Sequence, residues 1–306
     1  MPPSSDRDVV FILAPARSCS TVAIALLSGH PLLYGFPELL IFTADTIGGL
    51  LGPHEQLDLP SDWRSAQQSG ILRAVAEIHD GDQDEAAISR ARTWLAERAD
   101  WPTTRLLDHL LDAVRPRTGM EKSPDTLNTP TALKRCLEAY PRARYLHLTR
   151  HPHSTAVSMA GHRARIDGGR PTAAERRGTL THCWWTWYRQ HTNAVVALNA
   201  LPPQRWLRIR AEDLIGDPLR HLPRVLRWLE VEVDDTILRD MCEVSRWPFT
   251  GGGESGRLRG GDPGFLDDPV LRPVPAPPPM RYDPHVGFDH ATWREYARLA
   301  ALLGYR

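Results

Sequence analysis

Lysine is nearly absent: only two of the 37 basic residues are lysines, Lys122 and Lys134, so a catalytic ammonium has two possible positions. Cysteine is almost as sparse. The four cysteines, Cys19, Cys136, Cys183 and Cys242, lie far apart and form no C-x-x-C pair, so neither a zinc site nor a disulfide framework is signalled, and a reducing cytoplasm is expected. Net charge is missing as well. Lys+Arg and Asp+Glu are both 37, which argues against nucleic acid or an acidic membrane surface as the main partner and makes any anion site local. No stretch approaches the roughly 18 uninterrupted apolar residues of a membrane span, and the first residues run straight into a short apolar strand; a soluble protein without signal or membrane segment is expected.

Two nucleotide fingerprints are also lacking. Lys122 follows Glu121 and Lys134 follows Leu133, so there is no Gly-Lys-Ser/Thr phosphate loop of the triphosphatase kind. Residues 14 to 21 contain no glycine, which removes the G-x-G-x-x-G dinucleotide turn after the first strand.

What is present is an ordinary globular composition, 42% hydrophobic and 24% charged over 306 residues, compatible with one large unit spanning 1–306. Asp8 to Ala14 reads as a buried strand, Ser20 to Ser28 as a helix stopped by Gly29-His30-Pro31, and Leu32 to Phe36 as a second strand ending at Pro37-Glu38. A helix over Leu39 to Ile47, broken by Gly48-Gly49, is expected next. Ser61 to Val114 is helical in pattern, with breaks near Asp80 to Gln83 and at Trp101-Pro102, and forms an insertion of about 55–115. Strands follow at Gly119 to Lys122, Arg144 to Thr149 and Trp206 to Arg210, with helices at Thr131 to Tyr140, from Pro152, at Ala173 to Asn199 and at Pro218 to Leu229. Alternating strands and helices predict an α/β fold of three layers, a central parallel sheet flanked by helices. A loop-rich segment of about 246–290, with glycines at Gly251 to Gly261 and prolines from Arg272 to Pro284, precedes a last helix at Ala291 to Leu303.

Two constellations carry chemistry. Ala16-Arg17-Ser18-Cys19-Ser20-Thr21 lies between a strand and a helix, where backbone N–H groups, the helix dipole, the Arg17 charge and three hydroxyls converge on an anion. A plain N-cap of small polar residues is the simpler alternative. In the second, Arg150 ends a strand at the carboxyl edge of the sheet, where ligands of open α/β sheets bind, and Ser158 follows eight residues later on a helix. On its own the simpler reading, a surface arginine and ordinary helix serines, is the preferred one.

Together, in this order, the two constellations resemble the sulfotransferases that use 3′-phosphoadenosine 5′-phosphosulfate (PAPS). The first is similar to that family's 5′-phosphosulfate loop, the second to its 3′-phosphate pair. The similarity extends through His30-Pro31, Pro37-Glu38-Leu39, Glu121-Lys122-Ser123-Pro124 and Arg208-Ile-Arg210-Ala-Glu212-Asp213-Leu214 with Asp217-Pro218, touching most of residues 9 to 230.

The resemblance implies a P-loop-like fold, PAPS as co-substrate and no metal. It implies that Arg17, Ser18, Cys19, Ser20 and Thr21 hold the phosphosulfate, that Arg150 and Ser158 hold the 3′-phosphate, that Glu38 is the base and that Lys122 stabilises the leaving oxygen. Arg257 and Arg259, in a glycine-containing loop only loosely similar to the family's late basic loop, are further donor ligands in this reading; a flexible loop is the equal alternative. Cys19 replaces the family's loop glycine, so the backbone there must manage without that glycine's freedom or form an altered loop; Ala211 stands where an aromatic residue is common. The acceptor is a hydroxyl on a small molecule, natural product or carrier-bound group, the last two because the Pro-Glu-Leu turn and the helical insertion resemble bacterial enzymes of secondary metabolism. His182 is a second candidate base. His151 and His153 flank Pro152 without a third metal ligand in view. Trp184, Trp187, Tyr188 and His191 form a helical stripe whose simpler reading is core packing. A kinase-like transferase and a catalytically silent nucleotide-binding module remain alternatives.

Overall fold

A computed structural model describes residues 7–52, 61–167, 172–252, 258–272, 274–282 and 286–306. The chain starts with β1 (Val9–Leu13), α1 (Ser20–Ser28) and β2 (Leu33–Gly35), continues through α2 (Ile47–Leu51), α3 (Ser61–Asp80), α4 (Glu85–Ala96) and α5 (Thr103–Ala113), and returns to the sheet at β3 (Thr118–Glu121). After α6 (Pro130–Ala139) come β4 (Arg144–Thr149), the pair α7 (Pro152–Asp167) and α8 (Ala173–Asn199), and β5 (Trp206–Arg210). Helices α9 (Ala211–Gly216), α10 (Pro218–Leu229), α11 (Asp235–Met241), α12 (Pro263–Asp267) and α13 (His290–Leu302) complete it.

The five strands pair in the order β2-β3-β1-β4-β5, all parallel. Every residue of β1 is buried, as expected of a central strand with helices on both faces, where an unbroken Val-Val-Phe-Ile-Leu run replaces alternation. The three-layer α/β architecture expected from the sequence is the one found. Helices α1, α8 and α10 and strands β4 and β5 have the bounds read from the sequence. The helical stretch before β3 is three helices, α3 to α5, interrupted where the breaks were expected.

The helix expected over Leu39 to Ile47 does not form. Leu40 adopts left-handed backbone, φ 57°. The N–H groups of Leu39 and Leu40 are taken instead by Glu121 Oε1 (3.2 Å), at the end of β3, and Ser123 Oγ (2.9 Å), just beyond it. Only a 3-10 turn at Ile41–Thr43 remains. Helix α2 then begins after Thr46, whose hydroxyl accepts from Gly49 N–H, so Gly48-Gly49 lie inside a helix rather than ending one. Tertiary partners prevailed over the local pattern for two backbone donors.

Helix α8 starts with a capping box between Thr172 and Glu175. Its Trp187 and Tyr188 stack with Tyr296 of α13, Trp184 packs tilted against the same ring, and His191 is fully buried, so the aromatic stripe is core packing. No helix among the described residues is long and apolar enough to cross a membrane.

The sheet also gathers the candidate residues. Arg17, Glu38, Lys122 and Arg150 each follow the carboxyl end of a different strand, respectively β1, β2, β3 and β4, and parallel strands bring those ends to a single edge.

Candidate functional site

The loop from β1 to α1 is built on two left-handed residues, Arg17 (φ 63°) and Cys19 (φ 62°). At Cys19 a cysteine thus takes the left-handed backbone form that glycine adopts freely. The N-cap provides no side-chain cap for α1, and its first turn holds no acidic residue. The orphan N–H groups and positive dipole end of that turn are the standard receptor for an anion. Ser18 is fully buried, and its Oγ has no hydrogen-bond partner among the described residues. A buried hydroxyl left unpaired inside an N–H-lined turn is what an anion would satisfy.

Left-handed backbone costs a non-glycine residue about 1–2 kcal/mol, most for β-branched side chains. A Cys19→Gly variant is accordingly expected to stay within about 1 kcal/mol of the native stability, gained freedom offsetting unfolded-state entropy and reduced packing, whereas Cys19→Val loses about 2 kcal/mol. Urea denaturation of the two variants checks the difference; equal stabilities would exclude left-handed strain at this residue.

Three distant segments meet on Arg17. Its Nε donates to Ser158 Oγ (3.2 Å), its NH1 pairs with Asp262 Oδ1 (2.6 Å), and its carbonyl accepts from Arg150 NH1 (2.6 Å). Arg17, Arg150 and Ser158 thus form one cluster, while Arg150 Nε is buried without a partner among the described residues. Thr21 Oγ1 accepts from Lys122 Nζ (2.8 Å) and from the Asp262 N–H (2.9 Å). With both acceptor positions filled, its own proton is left to donate to a ligand.

Lys122, 1% exposed, joins the loop to the candidate base. Its Nζ lies 2.8 Å from Thr21 Oγ1 and 2.5 Å from Glu38 Oε1. The turn that carries Glu38 is pressed between two glycines. Glu38 N–H donates to Gly260 O (2.9 Å), and a Cβ on Gly70 of α3 would stand 2.0 Å from Glu38 O. Any side chain at position 70 would force the backbone at Glu38 or α3 to shift.

Beneath this pair lies Glu121, 2% exposed, whose Oε1 accepts from Ser123 Oγ and from Leu39 N–H. Burial pushes its carboxyl up to about 7; burial, then the nearby Glu38, lifts Asp125 to about 6. A raised carboxyl holds its proton more tightly in the folded than in the unfolded state, so its contribution falls as pH rises from 4.5 through 7. Above pH 8 the charged form costs about 3 kcal/mol. Glu121→Gln keeps the acceptor oxygen without the charge; relative to the native chain it is expected to gain about 3 kcal/mol of stability between pH 5 and pH 8.5. Denaturation curves at the two pH values measure this, and a pH-independent difference would contradict it.

Of the other candidates, Arg259 is engaged through its guanidinium by Asp267 of α12. Its carbonyl accepts from Arg73 NH1 (3.0 Å). Arg257 lies outside the described residues. His182 is exposed on α8, and among the described residues no hydrogen bond or ion pair joins it to Glu38, Lys122 or Arg17. His151 is buried and held near 4 by burial, the neighbouring His153 and Arg150. No group of three or more His, Cys, Asp or Glu among the described residues is arranged to hold a metal ion.

Sequence reasoning missed Asp262 and Arg73. Asp262 precedes Pro263 and accepts from Gly264 N–H (3.0 Å), so its local signal is that of a helix cap; nothing local announces that it also pairs with Arg17. Arg73 is 1% exposed and donates to the carbonyls of Thr250 (3.1 Å) and Arg259 (3.0 Å), clasping both stems of the glycine-rich loop.

A family model described as the sulfotransferase family matches residues 9–235. Among solved structures, the chain is similar to the sulfotransferase domain from the curacin biosynthetic pathway, at 23% identity and a TM-score of 0.74, covering 98% of each chain. It is similar also to the sulfotransferase domain of the Synechococcus PCC 7002 olefin synthase, at 23% identity and 0.72, covering 100% of this chain and 98% of that one. A sulfotransferase from Alicyclobacillus acidocaldarius follows at 18% and 0.51, covering 97% and 96%. At these identities the likeness is one of fold. No curated protein matches the chain.

Proposed function

The chain belongs to the sulfotransferase family, and we propose that it transfers a sulfuryl group from PAPS to a hydroxyl of a small-molecule, natural-product or carrier-bound acceptor, leaving adenosine 3′,5′-bisphosphate. The observation that carries this reading is the buried Lys122 ammonium, which spans from the loop hydroxyl of Thr21 to the carboxylate of Glu38. One cation thereby links the anion-receiving turn to a base.

Sulfuryl transfer needs alignment, removal of the acceptor proton and stabilisation of charge on the leaving phosphate. The acceptor oxygen forms a bond to sulfur while the bond from sulfur to the bridging oxygen breaks, and the electron pair stays on the 5′-phosphate. Glu38, 23% exposed, takes the hydroxyl proton. Lys122 offsets the charge that grows on the bridging oxygen, beside Arg17 and the α1 amides. Arg150 and Ser158 select the 3′-phosphate, since a planar guanidinium binds phosphate with two parallel hydrogen bonds. The orphaned Ser18 Oγ and Arg150 Nε fit a donor with an anion at each end.

Calorimetric titration of adenosine 3′,5′-bisphosphate against adenosine 5′-phosphate tests the donor half, with at least a tenfold preference for the bisphosphate expected. A screen of hydroxyl acceptors with PAPS, scored by bisphosphate release, tests the transfer. Equal affinity for the two nucleotides would remove the PAPS reading; preference without turnover on any acceptor would favour a silent binding module.

A further inference from the structure

The segment Arg208-Ile-Arg210-Ala-Glu212-Asp213 takes no part in the steps above, yet Glu212 grips the backbone next to Arg150. Its Oε1 accepts from the His151 N–H (2.8 Å). Its Oε2 accepts from the Tyr305 hydroxyl (3.0 Å). Tyr305 has a single O–H, given to the carboxylate, so its 3.1 Å contact with Thr149 Oγ1 requires the threonine to donate. Both neighbours of Arg150 are therefore held by one connected set of groups, Thr149 by Tyr305 and His151 by Glu212. The Arg150 carbonyl accepts from Trp187 Nε1 (2.9 Å) on the remaining side.

The groups around the half-buried Glu212 are themselves buried: Thr149 is fully buried, and His151 and Tyr305 are each 2% exposed. The His151 ring stands edge-on to Tyr305 at 5.5 Å. Arg210 fastens the segment before Tyr305, pairing with both oxygens of Asp213 (2.7 Å each) while its NH1 reaches Gly304 O (3.3 Å). Tyr305 stands 70 residues beyond the end of the family match at 235, so this support comes from a part of the chain the family pattern does not include.

We infer that Tyr305, acting through Glu212 and Thr149, is a positioning residue that aims the Arg150 guanidinium at the donor's 3′-phosphate. The inference rests on the proposed donor. A guanidinium binds phosphate well only when its fork is aligned, and alignment is set by the backbone that carries it. A hydrogen bond to a charged carboxylate is among the stronger constraints a side chain supplies.

The test uses the full chain and Tyr305→Phe, which keeps the ring against His151 and removes only the hydroxyl; Glu212→Gln is the second variant. Calorimetry is expected to show bisphosphate binding weakened about tenfold in Tyr305→Phe, with 5′-phosphate binding and kcat at saturating PAPS within about twofold. Hydrogen exchange at the His151 amide is expected to speed up about tenfold. Unchanged bisphosphate affinity, or equal weakening of both nucleotides, overturns the inference. A native chain that does not distinguish the two nucleotides removes the donor reading instead, and unchanged exchange at His151 removes the positioning role in either case.

Discussion

Replacing Lys122 by methionine is expected to lower kcat about a thousandfold while changing the bisphosphate dissociation constant less than about threefold. Removing one preorganised charge aimed at developing negative charge costs about 10²–10³ in rate in a water-poor site. Lys122 is 1% exposed and sits between Thr21 and Glu38, so in the proposed reaction its field acts on the leaving oxygen with little screening. The same change removes the partner that holds Glu38 in place. Methionine is close in volume, and Glu38 is 23% exposed, which lets water solvate the freed carboxylate and keeps the fold intact. Glu38→Gln is expected to lose about 10²–10⁴ through loss of the base. Because the two groups are hydrogen-bonded, their effects are not additive: Lys122→Met with Glu38→Gln should be no more than about tenfold slower than the worse single variant. Single-turnover rates with a working acceptor measure all three. A Lys122→Met variant within tenfold of the native rate would end the role assigned to this residue.

The Arg150→Ala variant is expected to weaken adenosine 3′,5′-bisphosphate about a hundredfold and adenosine 5′-phosphate less than about fivefold. The first figure reflects removal of a charge-assisted, two-pronged pair of hydrogen bonds from a partly buried site. The second reflects only the broken bond from Arg150 NH1 to Arg17 O, which braces the phosphate loop. Arg150→Lys should recover little, since an ammonium reproduces the charge but not the fork. Parallel weakening of both nucleotides would mean that Arg150 serves the loop rather than a 3′-phosphate. A hundredfold loss confined to the bisphosphate would identify the group that separates this donor from nucleotides lacking the 3′ substituent.

How far the sequence reaches differs from residue to residue. The turn after β1 is legible because its parts are adjacent: an arginine, three hydroxyls and a helix start lie within six positions. The bond from Arg17 to Ser158, by contrast, joins residues 141 apart. The sequence points to each of them, but as ligands of different phosphates, and their direct contact leaves no local trace. Asp262 is invisible as a site residue for the same reason, since its bond to Thr21 spans 241 residues and its neighbours spell only a helix cap. The failed helix at Leu39 to Ile47 makes the complementary point. Its periodicity is genuine, but Glu121 and Ser123 arrive from β3 to take the N–H groups of Leu39 and Leu40.

By itself, then, the sequence determined the alternation of buried strands with helices, the absence of triphosphatase and dinucleotide turns, and which charged residues follow strand ends. Those properties rest on interactions between residues a few positions apart: hydrophobic period, helix caps and the fixed φ of proline. Only the tertiary structure decided that Lys122 reaches both Thr21 and Glu38, that a cysteine bears the left-handed turn, and that Tyr305 closes the frame around Arg150. Such contacts form when a parallel sheet brings the carboxyl ends of its strands to one edge, and their partners are chosen by packing across long stretches of chain rather than by neighbours in sequence.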